Sequence, residues 1–462
     1  MANGITYYST NRQVRGFSFQ EALLKGLAPD RGLFMPERIP VLSPREIQHF
    51  SHLTYPEIAW HILHQYLHHE IDDDELKSLA DAAYNFDVPL EKASGRKYVL
   101  RLDQGPTASF KDFAARMMGR LMQHFLQKQN REMLILTATS GDTGSAIANA
   151  FYGLSNIKVV ILFPEKEVSD RQRKQMTTLD QNIQVVALDG KFDDCQAMVK
   201  SAFNDRELDH LKLSSANSIN IGRLLPQSVY YFYAYSRLTA PGEEIVFSVP
   251  SGNFGNLMGG LIARQMGLPV KKFVIGTNEN DEVPEYFKSD RYQTIVPSRN
   301  CISSAMNVGH PSNMARVIEL YGGHMNEKGE IIRQPDLERL KTDMYAVSIS
   351  DRQTKEMIQH AWKNDGLLLE PHGAVGWHAL HKYIERENDN AESGPNATGK
   401  HDQLYVSLET AHPAKFPDQI RELIHIEPEL PESMKDLDKL EEKMVRISNG
   451  YEAFKSYLLA NY

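Results

Sequence analysis

The stretch MLILTATSGDTGSAIANAFY, residues 133–152, runs from an apolar segment through a glycine-containing loop into a run of small residues. Residues 133–137 have the length and composition of a buried strand, and 145–152 have the pattern of a helix, so residues 138–144 form a strand-to-helix turn. The same order recurs along the chain. Short β-rich runs at 158–163, 183–188, 244–249, 272–276 and 404–408 alternate with helical segments from residue 97 onward. Strand, crossover helix and strand repeated in this way specify parallel α/β sheets covered on both faces. Ligands of such sheets collect outside the carboxyl ends of the strands.

Two loops lie at that position. Ser140, Gly141, Asp142 and Thr143 follow the strand at 133–137, and Gly252, Asn253, Phe254, Gly255 and Asn256 follow the strand at 244–249. Each leads into a helix N-terminus, where free backbone N–H groups can face an anion. Neither follows GxGxxG or GxxxxGK[ST], so dinucleotide and nucleoside triphosphate binding lose support. Either loop alone also reads as a plain strand-to-helix turn. A third group, Asn217, Ser218 and Arg223, stands at the entrance of a helix rich in Tyr and Phe. Arginine offers a bidentate fork to phosphate, although asparagine and serine also cap helices routinely.

Lys111 lies in DQGPTASFKDF, residues 103–113. Gly-Pro marks a turn, Ser109 and Asp112 have the spacing of a capping box, and Phe110, Phe113, Ala114, Met117, Leu121 and Phe125 recur at helical intervals. Lys111 is therefore expected in the first turn of an amphipathic helix, where the positive end of the dipole disfavours charge on its amine. Two readings follow. Lys111 is an amine held partly neutral as a nucleophile, or an exposed lysine whose stem packs between phenylalanines; the stretch alone favours the second.

Composition sets outer bounds. At 462 residues the chain can hold two or three domains, and its 41% hydrophobic and 24% charged content is that of an ordinary soluble protein. A net charge of -9 without a basic cluster gives no footprint for nucleic acid or an anionic membrane, so anions must be held locally. The apolar runs are too short to span a bilayer, which points to a cytoplasmic protein. Cys195 and Cys301 are the two cysteines, excluding a disulfide framework and a cysteine-rich zinc site, and the histidines form no HExxH pattern; no metal is expected. The expected organisation is a mostly helical domain at 1–95, periodic at 19–27 and 55–69. A smaller α/β domain at 96–240 follows, then a larger one at 241–430. A helical extension at 431–462 closes the chain. Residues 385–403, polar and rich in Asn, Ser and Gly, read as a solvated loop.

Eight stretches together resemble the threonine synthase family, pyridoxal-phosphate enzymes of fold type II: YSTNRQVRGFSFQEALLKGLAPDRGLFMP (8–36), GPTASFKDFAARMM (105–118), TATSGDTGSAIANAFYG (137–153), NSINIGRLLPQ (217–227), VPSGNFGN (249–256), SSAMNVGHPSN (303–313), EPHGAVG (370–376) and ETAHPAKF (409–416). They run in family order over nearly the whole chain. The resemblance implies a tryptophan synthase β-like fold with two parallel-sheet domains and a helical N-terminal region. It implies that Lys111 forms the Schiff base with pyridoxal 5'-phosphate, that Gly252, Asn253, Phe254, Gly255 and Asn256 cradle the cofactor phosphate, and that Thr410 faces the pyridine nitrogen. Ser140, Gly141, Asp142 and Thr143 match the loop for the substrate's α-carboxylate; Asn217, Ser218 and Arg223 match contacts to the substrate phosphate. The implied reaction turns O-phospho-L-homoserine and water into L-threonine and phosphate, in a monomer or homodimer.

The resemblance departs at Arg31, where many relatives carry glycine, and residues 309–313 vary a family stretch to which the sequence assigns no contact. Other readings stay open: a phospho-lyase releasing a 2-oxo acid from the same substrate, or a non-catalytic binding protein on the same scaffold, which an intact Lys111 and Thr410 oppose.

Overall fold

The structure, a computed structural model, describes residues 4–392 and 403–462. In the N-terminal region β1 (Tyr7–Ser9), β2 (Arg15–Phe17) and β3 (Phe34–Pro36) form an antiparallel sheet beside the helices Phe19–Lys25, Pro44–His49, Tyr55–Leu67 and Asp73–Ala83. This region was expected to be mostly helical. Its three-residue strands are too short to leave a period-two signature, whereas the helices announce themselves: Thr54 and Glu57 make a reciprocal capping box before a helix that buries Ile58, Ile62, Leu63 and Tyr66. Arg31 has φ +67°, in the region that glycine enters most easily.

The body of the chain supplies β4 (Leu90–Lys92), β5 (Lys97–Arg101), β6 (Met133–Ala138), β7 (Ile157–Pro164), β8 (Ile183–Leu188), β9 (Leu213–Ser215), β10 (Ile245–Pro250), β11 (Val270–Thr277), β12 (His324–Met325), β13 (Ile331–Arg333), β14 (Met344–Ser348), β15 (Leu404–Glu409) and β16 (Val445–Ile447). The larger sheet has the order β14-β11-β10-β15-β5-β4, parallel except where β4 meets β5. The smaller, β16-β8-β7-β6-β9, is parallel throughout. β12 and β13 make a separate antiparallel pair. All residues of β6 and β10 are buried, as expected of strands covered on both faces. The loops after β6 and β9 therefore open at one edge of the smaller sheet, and those after β10 and β15 at one edge of the larger.

The sheets cross the expected domain boundaries. β5 joins the larger sheet through β15, and β16, from the closing segment, joins the smaller through β8. That closing segment is not the expected helix or helix pair: it holds short 3-10 turns at Glu432–Met434 and Leu437–Lys439, then β16, then the helix Tyr451–Asn461. Pro431 and Gly450 interrupt helical periodicity, and Phe454 and Leu458 bury themselves against the smaller sheet. Of the loop expected at 385–403, the first part continues the helix Pro371–Glu392, and residues 393–402 lie outside the described residues. Among the described residues no helix is long and apolar enough to cross a membrane.

Candidate active site

Lys111 opens the helix Lys111–Lys128, which buries Phe113, Ala114, Met117, Leu121 and Phe125 as the spacing predicts. The expected capping box is absent. No side chain caps this helix, and Ser109 Oγ is buried without a partner. Asp112 instead turns back onto the preceding loop, accepting from Thr107 N at 2.8 Å and Thr107 Oγ1 at 2.6 Å. A Cβ at Gly105 would lie 2.4 Å from Asp112 Oδ2, so the loop closes over this carboxylate only because residue 105 is glycine. Residues 108–110 then run antiparallel to 410–412: Phe110 N donates to Thr410 O at 2.9 Å and His412 N donates to Ala108 O at 3.0 Å. Backbone pairing thus places Lys111 beside Thr410, almost three hundred positions away in sequence.

Lys111 keeps 13% of its side chain exposed, and its Nζ stands 3.8 Å from Asp142 Oδ2. Burial pulls its proton affinity down, Asp142 opposes this, and Lys415 and Arg223 reinforce it. Asp142 begins the helix Asp142–Phe151, whose N-cap Gly141, at φ +131°, offers no side chain. That φ, and a Gln172 amide that would meet a Cβ at 2.6 Å, demand glycine at position 141. The Asp142 carboxylate is nevertheless well supplied: Oδ1 receives Lys415 Nζ at 2.7 Å and Gln172 Nε2 at 2.9 Å. Burial opposes its charge, but Lys415, Lys111 and Gln172 together hold it well below the ordinary carboxylate range.

Across the site, Phe254 takes φ +61° and starts the helix Gly255–Gln265, again with no side-chain cap. A Cβ at Gly252 would come within 3.0 Å of the Ala305 carbonyl oxygen. Asn256 Oδ1 accepts from Tyr230 at 2.6 Å and Tyr231 at 2.7 Å, while its Nδ2 is buried without a partner. Asn313, in the stretch left without a contact by the sequence, bridges two loops: its Nδ2 donates to Asn253 O at 3.0 Å and to Ser218 O at 3.3 Å. A Cβ on Gly255 would sit 3.7 Å from Ser218 Cβ, so these two loops adjoin. Asn217 Oδ1 and Arg223 Nε are buried without partners among the described residues; Arg223 Nη1 donates to Ala216 O at 2.8 Å, and burial lowers the guanidinium to about 10.

Behind Thr410 lies a buried acidic group. Glu409 Oε1 accepts from Glu370 N at 2.9 Å, and Glu370 Oε2 meets His372 Nδ1 at 2.5 Å. His372 Nε2 accepts from Ala305 N at 3.0 Å, fixing the turn that faces Gly252. Burial, then the neighbouring Glu370, push the Glu409 carboxyl well above its ordinary range.

The structure thus brings Lys111 beside Thr410 and within 3.8 Å of Asp142 in the loop at 140–143, and it joins the loop at 252–256 to the 217–223 turn through Asn313. Lys415, Gln172, Asn313 and Arg316 were not found from sequence. Lys415 sits in a quoted stretch, ETAHPAKF, but its partner Asp142 comes from the other sheet, and no local spacing encodes that meeting.

Residues 6–84 match the family described as threonine synthase N terminus, residues 88–393 that described as pyridoxal-phosphate dependent enzyme, and residues 373–458 that described as threonine synthase, C-terminal. A threonine synthase of Haemophilus influenzae is 39% identical over 98% of this chain and 99% of its own. The crystal structure of a pyridoxal-phosphate-bound threonine synthase from Brucella melitensis superimposes with a TM-score of 0.90 at 33% identity, covering 98% of this chain and 99% of that one. The yeast threonine synthase structure does so with a TM-score of 0.88 at 31% identity, covering 99% of both. The chain belongs to the threonine synthase family of pyridoxal-phosphate-dependent enzymes.

Proposed function

We propose that the chain converts O-phospho-L-homoserine and water to L-threonine and phosphate, with Lys111 as the residue that carries pyridoxal phosphate. One observation carries the reading: a largely buried lysine amine stands 3.8 Å from Asp142 at an uncapped helix start, beside Thr410, with Arg223 near enough to lower its proton affinity. The residues suit the cofactor. Its phosphate needs donors and little side-chain bulk, and the loop at 252–256 offers an uncapped helix start, a Gly252 with no room for a Cβ, and the unpartnered Nδ2 of Asn256. Thr410 beside Lys111 can share a hydrogen bond with the ring nitrogen without imposing the full positive charge that an aspartate would.

When bound, pyridoxal phosphate supplies an electron-withdrawing ring that stabilises charge on the substrate carbons next to it. The protein does the rest. Lys111 Nζ would hold the cofactor and, as a free amine, would move the proton at the substrate's α-carbon; the burial that lowers its proton affinity favours the neutral form this requires. Ser140, Gly141, Asp142 and Thr143 orient the α-carboxylate at a helix start. Asn217, Ser218 and Arg223 hold the substrate phosphate, with Arg223 Nε free to donate among the described residues. Holding all three anions at once fixes the reacting carbons beside one amine. The two free, buried cysteines suit a reducing cytoplasm.

Purified protein given O-phospho-L-homoserine should release threonine and phosphate in equal amounts. A 2-oxo acid as the main product, with little threonine, would replace this reading with the phospho-lyase. Lys111→Ala should keep the far-ultraviolet circular dichroism of the parent and lose turnover by several orders of magnitude; turnover within tenfold of the parent would remove Lys111 from the chemistry.

A further inference from the structure

The loop assigned to the substrate's carboxylate contains a carboxylate of its own. Asp142 is 4% exposed and stands at the start of the helix that the substrate anion would address. Two like charges in a poorly solvated place repel strongly, and an unpaired buried anion is costly even before a ligand arrives. Some cation must offset Asp142. Lys111 is the obvious candidate, but its Nζ is 3.8 Å away, beyond a direct hydrogen bond, and on the proposed reading that amine is committed to the cofactor. Lys415 is differently placed. Its side chain is fully buried, and its Nζ donates to Asp142 Oδ1 at 2.7 Å and to Thr107 O at 2.9 Å.

The fold makes this placement deliberate. His412 Nδ1 accepts from Ala414 N at 3.1 Å, and Lys415 N donates to His412 O at 2.9 Å, so residues 413–415 form a tight turn immediately after β15 and Thr410. Arg171, from the helix Asp170–Thr177 on the smaller sheet's side, donates to the Ala414 carbonyl and clamps the turn from outside. The next residue of that helix, Gln172, supplies the other hydrogen bond to Asp142 Oδ1.

We propose that Lys415 is a positioning residue whose ammonium neutralises Asp142 within the 140–143 loop and so allows that loop to accept a carboxylate-bearing substrate. The inference rests on the function proposed above. It assigns Lys415 a role in ligand selection that Lys111 cannot share: Lys111 acts on the reacting carbons, while Lys415 stays paired with Asp142 and sets the charge that the incoming carboxylate meets.

The test compares two ligands on the holoenzyme that carry an amine and a phosphonate that cannot leave, L-2-amino-5-phosphonopentanoate and its decarboxylated counterpart 4-aminobutylphosphonate, with binding followed by calorimetry. Lys415→Gln should weaken the carboxylate-bearing ligand tenfold or more and the decarboxylated one less than threefold. The Asp142→Asn, Lys415→Gln double variant, which removes both charges, should restore the ratio of the two affinities, carboxylate-bearing over decarboxylated, to within threefold of the parent's. Equal weakening of both ligands by Lys415→Gln, or no weakening of either, would overturn the proposal, as would failure of the double variant to recover. If Lys415→Gln alone does not fold, the double variant decides: retained preference for the carboxylate-bearing ligand supports the role and a lost preference overturns it. Threonine production by the parent enzyme judges the proposed function separately, so a parent that makes threonine while these ratios stay flat would sink the role of Lys415 alone.

Discussion

Glu282 is 4% exposed at the start of the helix Glu282–Ser289, and its Oε2 has no partner, so burial pushes the carboxyl up to about 7. The folded state then holds a proton that the unfolded chain releases near its ordinary value of 4.5. Stability from this group is complete below that value and is lost as pH rises through about 7. Glu282→Gln should therefore match the parent in urea unfolding at pH 4 and exceed it by up to about 3 kcal/mol at pH 8. Equal midpoints at both pH values would show that water or a neighbour satisfies the carboxylate. Single residues also mark the limits of reading from sequence. The place of Lys111 in the first turn of a helix was legible from the apolar spacing, whereas its assignment to the cofactor came from the family resemblance. The partner of Asp112 was not, because a local spacing that predicts a cap cannot see the competing donors of Thr107, held close by the missing side chain at Gly105. Lys415 was invisible for a similar reason, since its role exists only once two sheets meet.

Between elements, Arg316 is the principal clamp. It is fully buried with no carboxylate partner among the described residues, and its guanidinium donates to Phe34 O on β3 at 3.0 Å, to Ile219 O at 2.7 Å and to Asn313 Oδ1 at 2.7 Å. One side chain thus ties the N-terminal sheet to the turn that presents Asn217 and Ser218. Arg316→Met fills similar volume but leaves several buried carbonyl oxygens unpaired, at about 1–3 kcal/mol each. The variant should unfold at clearly lower urea and show a raised KM for the phosphorylated substrate; an unchanged midpoint would mean that water replaces the guanidinium. The long parallel strands were readable in advance because burial on both faces writes a continuous apolar run, and β8 falls where it was expected. β1, β2 and β3 were not, being three residues each and too short to show a period of two.

At the scale of the molecule, the last residues belong structurally to the middle of the chain. β16 extends the smaller sheet, and Phe454 and Leu458 complete a core with Leu134, Leu136, Val160 and Val186. A chain ending at Lys443 would uncover that core. The loss of two fully buried side chains alone amounts to about 3–6 kcal/mol, so the shortened protein should melt earlier and bind a hydrophobic dye; parent-like melting would mean that the closing helix is dispensable. The larger sheet draws on residues 90–101, 245–277, 344–348 and 404–409, and the smaller on 133–188, 213–215 and 445–447. No single opening of the backbone leaves one of these two sheets complete on each piece. A break anywhere between residues 101 and 445 therefore divides at least one of the two sheets between the pieces, and a chimaera joined there would build at least one sheet from mixed parentage. The segment before residue 90, which holds β1, β2 and β3 whole, can be exchanged between relatives at one junction without that mixing.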